Sequence, residues 1–134
     1  MITIVVPGAP VPKPRQAPSD KWRPSPSVVR YRAWCDIARV AARPWMPLPP
    51  APWLVDITIY FPIPESWSEK KRLAARGFPK LTRPDTANVL KAVEDALWPE
   101  DAGLWQERVR KIYDDGNGPR VVINITPEAT PWTR

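Results

Sequence analysis

The sequence predicts an α/β or α+β domain: a small mixed β-sheet packed with two to three helices. Three observations carry this. The 134 residues and 43% hydrophobic content suit one domain with one modest core. The stretch "WLVDITIYFP" (53–62) alternates, with Val55, Ile57, Ile59 and Phe61 on one face and Leu54, Asp56, Thr58 and Tyr60 on the other, the period of a strand with one wholly apolar side. Helical stretches then interleave with such β-branched runs rather than following them in a block.

In chain order, "ITIVV" (2–6) reads as a short strand, followed by the proline-rich loop "PGAPVPKPRQAPSDKWRPSPS". A loop that long inside a domain is usually functional or mobile. "VVRYRAWCDIARVAAR" (28–43) predicts a helix that Pro44 ends. After the 53–62 strand, "ESWSEKKRLAARG" predicts a short helix, with Ser66 and Glu69 as a capping box and Gly77 at its C-terminal end. Residues 86–97 form the third helix, with Pro84 and Asp85 or Thr86 at its start. "RVRKIY" (108–113) and "RVVINIT" (120–126) predict a closing hairpin around "DDGNGP". Residues 1–127 are expected to form a single domain and 128–134 a flexible C-terminal tail.

Composition removes whole classes of chemistry. There is no histidine and one cysteine, Cys35, so a Ser-His-Asp triad, a histidine base, a Cys-His zinc site and an intrachain disulfide are all excluded. Cys35 reads as a small buried side chain. Hydrolysis in such a chain falls to carboxylates with a hard divalent ion, helped by lysine. Twenty Lys and Arg against fourteen Asp and Glu give a net charge of +6, and the excess is clustered. Residues 70–83 hold Lys70, Lys71, Arg72, Arg76, Lys80 and Arg83 with no acid among them. That is the footprint of a polyanion binder, and equally a way to keep a surface soluble. No apolar run is long enough for a membrane span, and "MITIVVPGAP" lacks the basic start of a signal peptide, so a cytoplasmic protein is expected. The eight Trp offer surfaces for stacking on bases, but Trp is more often core.

The stretch "RPDTANVLKAVEDALWPED" (83–101) concentrates the candidate chemistry. At 100° per residue Val89, Leu90, Val93 and Leu97 form one stripe, and Asn88, Lys91 and Asp95 share the opposite side. Alone, this is also the pattern of an ordinary amphipathic helix. Asp85 precedes it, and Glu100 and Asp101 follow the Pro99 break, so a chain reversal is expected to bring the acids together. Magnesium binds carboxylate oxygens, keeps several waters and takes further ligands from phosphate. It activates water and stabilises charge on phosphorus, a task in which Lys91 would assist.

Three blocks resemble the RusA-type Holliday junction resolvases of phages and bacteria: "VPGAPVPKPR", "PESWSEKKRLAARG", and "RPDTANVLKAVEDAL" against the signature Pro-Asp-x-Asp-Asn-x-x-Lys-x-x-x-Asp-x-Leu. The resemblance implies a homodimeric endodeoxyribonuclease of a bacterial host or phage, which nicks four-way junction DNA with Mg2+, Mn2+ being able to substitute, and needs no small-molecule cofactor. It maps the family's metal-binding acids onto Asp85 and Asp101, with Glu100 beside the latter, and its lysine onto Lys91. A register with a gap places Glu107 at the third acidic position instead. DNA contacts fall to Lys13, Arg15, Lys70, Lys71, Arg72, Arg76 and Lys80, with Asn88 and Asp95 supporting the site. The second signature Asp maps onto Ala87. A deliberate inactivating substitution, a binding-only relative, or takeover by Glu100 or Asp95 would each explain it. The resulting expectation is a resolvase impaired in cleavage, with a non-catalytic branched-DNA-binding protein as the alternative.

Overall fold

A computed structural model describes residues 1–15 and 17–129. Strand β1 (Ile2–Pro7) leads through the proline-rich loop to helix α1 (Pro26–Ala42). Strand β2 (Trp53–Phe61), the short helix α2 (Glu69–Ala75), helix α3 (Thr86–Leu97), and strands β3 (Leu104–Tyr113) and β4 (Arg120–Pro127) follow. The four strands form one mixed sheet in the order β1-β4-β2-β3. The fold class is α+β, as the sequence predicts. One cluster built from β1, α1, β2, α3 and β4 forms the core. Val55, Ile57, Ile59 and Phe61 of β2 are all buried in it, so the apolar side of that strand packs as its alternation requires.

Two local expectations are overturned. β3 and β4 do not form a hairpin: β3 pairs in parallel with β2, while β4 runs antiparallel between β1 and β2. The pattern of side chains accounts for the choice. Val121, Ile123 and Ile125 are fully buried and suit a central strand. β3 carries Glu107, Arg108, Arg110 and Lys111, charges that a sheet edge tolerates and an interior does not. The cap of α2 is Ser68 rather than Ser66, its hydroxyl oxygen accepting the Lys71 N–H at 3.2 Å. Gly77, at φ +73°, reverses the chain after α2, as expected of a glycine in that place. Cys35 is free and buried. Of the expected tail, residues 130–134 lie outside the described residues; the Glu128 N–H still donates to the Pro52 carbonyl at 3.0 Å.

The proline-rich loop is tied down by a carboxylate. Asp20 is buried and accepts the backbone N–H of Ala17 at 2.7 Å and of Ser25 at 2.9 Å. These two bonds hold its carboxyl below the usual carboxylate range. Because the folded state favours the ionised form, the stabilisation is complete above the ordinary carboxylate range and fades as pH falls through the lowered one. Asp20→Asn is therefore expected to lower Tm at pH 7 and to speed proteolysis between residues 17 and 25, and the difference in Tm from the parent should shrink toward pH 3. Thermal melts across pH, with limited proteolysis at pH 7, check this.

Candidate nucleic-acid interface and acidic site

Helix α3 is the spine of the candidate site. Val89, Ala92, Val93, Ala96 and Leu97 are buried, which turns Asn88 and Lys91 to solvent. The proline-rich loop crosses this polar face. The Lys13 N–H donates to the Asn88 carbonyl at 3.3 Å, and the Lys13 ammonium sits 2.7 Å from Asp95 Oδ2. The Tyr31 hydroxyl donates to the same oxygen at 2.7 Å, so α1, α3 and the loop meet at one carboxylate. Burial pushes the Asp95 carboxyl up, but the hydrogen bonds from Lys13 and Tyr31 outweigh it and leave it lowered. Burial, and then the bond to Asp95, raises the Tyr31 hydroxyl. Asp95 is thus an organiser of the loop.

The outcome is a cleft of about 580 Å³ lined by Lys13, Pro14, Arg15, Asn88 and Lys91. The basic loop residues and the signature Asn and Lys, far apart in sequence, share it. At its α3 end the chain approaches through the 76–84 loop, which Lys111 holds by donating to the carbonyls of Thr82 at 2.7 Å and Pro84 at 3.1 Å. Asp85 is the N-cap of α3, but its carboxylate makes no capping bond and is exposed. Ala87 is exposed two residues on. Between residues 82 and 91 the sequence holds one carboxylate, Asp85, with Arg83 and Lys91.

The second acidic group lies elsewhere. The twelve residues of α3 span about 18 Å, and β3 returns from the far end, beginning beside Asp101, whose carbonyl accepts the Leu104 N–H at 2.9 Å. Seven residues of strand, about 23 Å, separate Leu104 from the Lys111 that clasps the Asp85 end. The reversal therefore brings Asp101 to Glu94 and Glu107 rather than to Asp85. Burial, then the neighbouring charges of Glu107 and Asp101, push the Glu94 carboxyl up to about 7. Burial also raises Glu107, partly offset by a hydrogen bond from Glu94. Glu100 serves the turn, accepting the Ala102 N–H at 3.0 Å. Gly103 lets this turn close, since a Cβ there would lie 2.5 Å from the Ala51 methyl.

Among the described residues no group of three or more His, Cys, Asp or Glu is arranged to hold a metal ion. Glu94 was not expected from sequence; its signal is its place at i+4 from Leu90 and i−3 from Leu97, a carboxylate on the apolar stripe. Tyr31 and Lys111 were equally unforeseen, because their roles depend on partners 64 and 27 residues away.

The remaining basic candidates lie on or after α2. Lys70, Lys71, Arg72 and Arg76 are exposed. The Lys71 ammonium stands 3.9 Å from the Trp67 ring centroid, and Arg72 and Arg76 border a hollow of about 700 Å³ that also contains Glu65, Glu69 and Asp114. Lys80 folds back instead, donating to Thr82 Oγ1 at 2.6 Å, and burial lowers its ammonium. No helix among the described residues is long and apolar enough to cross a membrane.

The family model for endodeoxyribonuclease RusA matches residues 7–126, a span that takes in the proline-rich loop, helices α1 and α3 and the acids from Asp20 to Asp115. No curated protein matches the chain.

The carboxylate group of Glu94, Asp101 and Glu107 has a consequence for stability. A raised carboxyl favours the folded state when protonated, so its contribution is present at acidic pH and is lost as pH rises through about 7. With chelator present, Glu94→Gln is expected to leave stability at pH 5 nearly unchanged and to add on the order of 1–2 kcal/mol at pH 8.5, allowing for the solvent that still reaches the carboxyl. Urea denaturation at the two pH values measures this difference.

Proposed function

Because the chain belongs to the RusA family of endodeoxyribonucleases, whose members resolve Holliday junctions, we propose that it binds four-way junction DNA in the cleft of Lys13, Arg15, Asn88 and Lys91 and cleaves it poorly. The observation that carries this is the composition of that cleft: four side chains able to donate to phosphate oxygens line it and no carboxylate does, Asp95 being taken up by Lys13 and Tyr31. Arg15 and Lys91 neutralise phosphates, and Asn88 donates to them; such contacts position DNA without reading its sequence. The exposed cations Lys70, Lys71, Arg72 and Arg76 extend the basic surface along α2 toward a second arm.

RusA-family nucleases depend on a divalent metal, for which Mg2+, with Mn2+ in its place, is the natural candidate. At the signature position the donor set is reduced to a single carboxylate, the lower limit for such an ion. Mg2+ is usually held by one or two carboxylates together with waters and substrate phosphate. Asp85 supplies one, Ala87 none, and Asp101 stands with Glu94 and Glu107 at the other end of α3. No hydrolytic step is therefore assigned to this chain, and a non-catalytic junction-binding role is the second reading that the same separation favours. Neither proposed substitute stands in for the missing acid: Asp95 is engaged by Lys13 and Tyr31, and Glu100 by its own turn.

A junction has near two-fold symmetry, so the proposal includes a homodimer. Support comes from the outer side of α1, where Val29, Ala33, Ile37 and Val40 recur at helical spacing and are exposed, a stripe able to pack on its own two-fold copy. Residues 1–127 act in this reading as one unit.

Two experiments test the function. Ala87→Asp places a second carboxylate two residues after Asp85, and is expected to gain paired nicking of a synthetic four-way junction with Mg2+ or Mn2+ over a parent that binds without cutting. An active parent defeats the proposal. Silence of both proteins, with binding intact, favours the non-catalytic reading. Separately, Arg15→Ala with Lys91→Ala is expected to weaken junction binding and to flatten its salt dependence by about 0.9 log units for each phosphate no longer neutralised; an unchanged slope removes the cleft from the interface.

A further inference from the structure

The loop between α2 and α3 presents two large apolar side chains to water. Phe78 is 64% exposed and Leu81 89%. The backbone that carries them is held against the end of β3: Gly77 N–H donates to the Tyr113 carbonyl at 3.1 Å, Tyr113 N–H to the Phe78 carbonyl at 2.9 Å, and Lys80 N–H to the Lys111 carbonyl at 3.1 Å. The Lys111 ammonium adds its bonds to Thr82 and Pro84. The segment is therefore a fixed ridge. Its exposed charges are both cationic, Arg76 and Arg83, so the apolar pair is bracketed by groups that attract phosphate. Leu81 precedes Asp85, the N-cap of α3, by four residues, so the ridge runs into the start of the helix that carries Asn88 and Lys91.

We infer that Phe78 and Leu81 form an apolar wedge that enters an opened base step at the branch point of junction DNA, while Arg76 and Arg83 grip the flanking phosphates. Linear duplex offers no such opening without the cost of unstacking, whereas at a branch the stack is already interrupted; apolar wedges that enter base steps are a known device of DNA-bending proteins. The wedge therefore supplies preference for branched over linear DNA, which the phosphate cleft cannot. The inference rests on the proposed junction binding and adds to it the residues that select structure.

The test compares the parent with the Phe78→Ala, Leu81→Ala double variant. Both side chains are exposed, so an unchanged melting curve serves as the folding control. Affinities for a four-way junction and for linear duplex of the same arm sequence are measured at one salt concentration, with 2-aminopurine placed either at the branch or within an arm. The parent is expected to raise 2-aminopurine fluorescence at the branch alone. The variant is expected to lose that rise and to weaken on the junction by about tenfold or more, with duplex affinity held. Equal affinities for parent and variant, or equal weakening on both DNAs, overturn the wedge while leaving the cleft proposal standing. A parent that binds neither DNA overturns the junction-binding reading and the wedge with it. A variant that changes sedimentation rather than fluorescence overturns the wedge in favour of a contact between copies of the chain.

Discussion

One carboxylate holds the working face together. Asp95 accepts from the Lys13 ammonium and the Tyr31 hydroxyl at 2.7 Å each, joining a loop that begins at residue 8, the first helix and the third. Arg39 reinforces the junction of the two helices by donating to the Ala96 carbonyl at 3.0 Å, at the helix end where carbonyls lack partners. Without Asp95, Lys13 would lose its anchor and the proline-rich loop its reason to cross α3. A half-exposed ion pair alone is worth little. Here it is combined with a hydroxyl bond and a backbone bond from Lys13 to Asn88, and together these three set where Arg15 stands.

The charges around α3 are sorted by face. Its polar face meets Lys13 and Arg15 and carries Lys91, with Asp95 bonded to Lys13, while Glu94 meets Asp101 and Glu107. Burial, and then its charged neighbours, favour a proton on Glu94. Ala87 adds no charge to the polar face, so between residues 82 and 91 Asp85 alone opposes Arg83 and Lys91.

Much of this was legible in the sequence where the signal is periodic or local. The alternation of Val55, Ile57, Ile59 and Phe61 located a core strand, the 86–97 helix was found with its ends, and Gly77 marked a helix terminus. The signature around Asp85, Asn88 and Lys91 marked the family, whose model spans residues 7–126. What failed was long-range. Residues 108–113 and 120–126 look like a hairpin because adjacency in sequence is the default expectation for strands, and only the contrast between a charged strand and the apolar Val121, Ile123 and Ile125 hints at different partners. Asp101 is expected beside Asp85 because the number of residues between them permits a reversal; the carboxylates it approaches are Glu94 and Glu107, whose positions in α3 and β3 local sequence does not relate. Glu94 was overlooked because one acid on an apolar stripe has no partner in local sequence.

The central position of β4 has a consequence for how the chain reaches its native state. Two of the three ladders in the sheet involve β4, and Ile2 lies opposite Ile125. While the polypeptide is being synthesised, β1 has no neighbour and β2 has one open edge until the last strand leaves the ribosome. Closing a loop of that size carries a large entropy penalty before any contact rewards it, so the topology sets a slow, late and all-or-none assembly. The growing chain keeps its apolar β1 and β2 edges unpaired until β4 is made, an exposure that favours aggregation over folding.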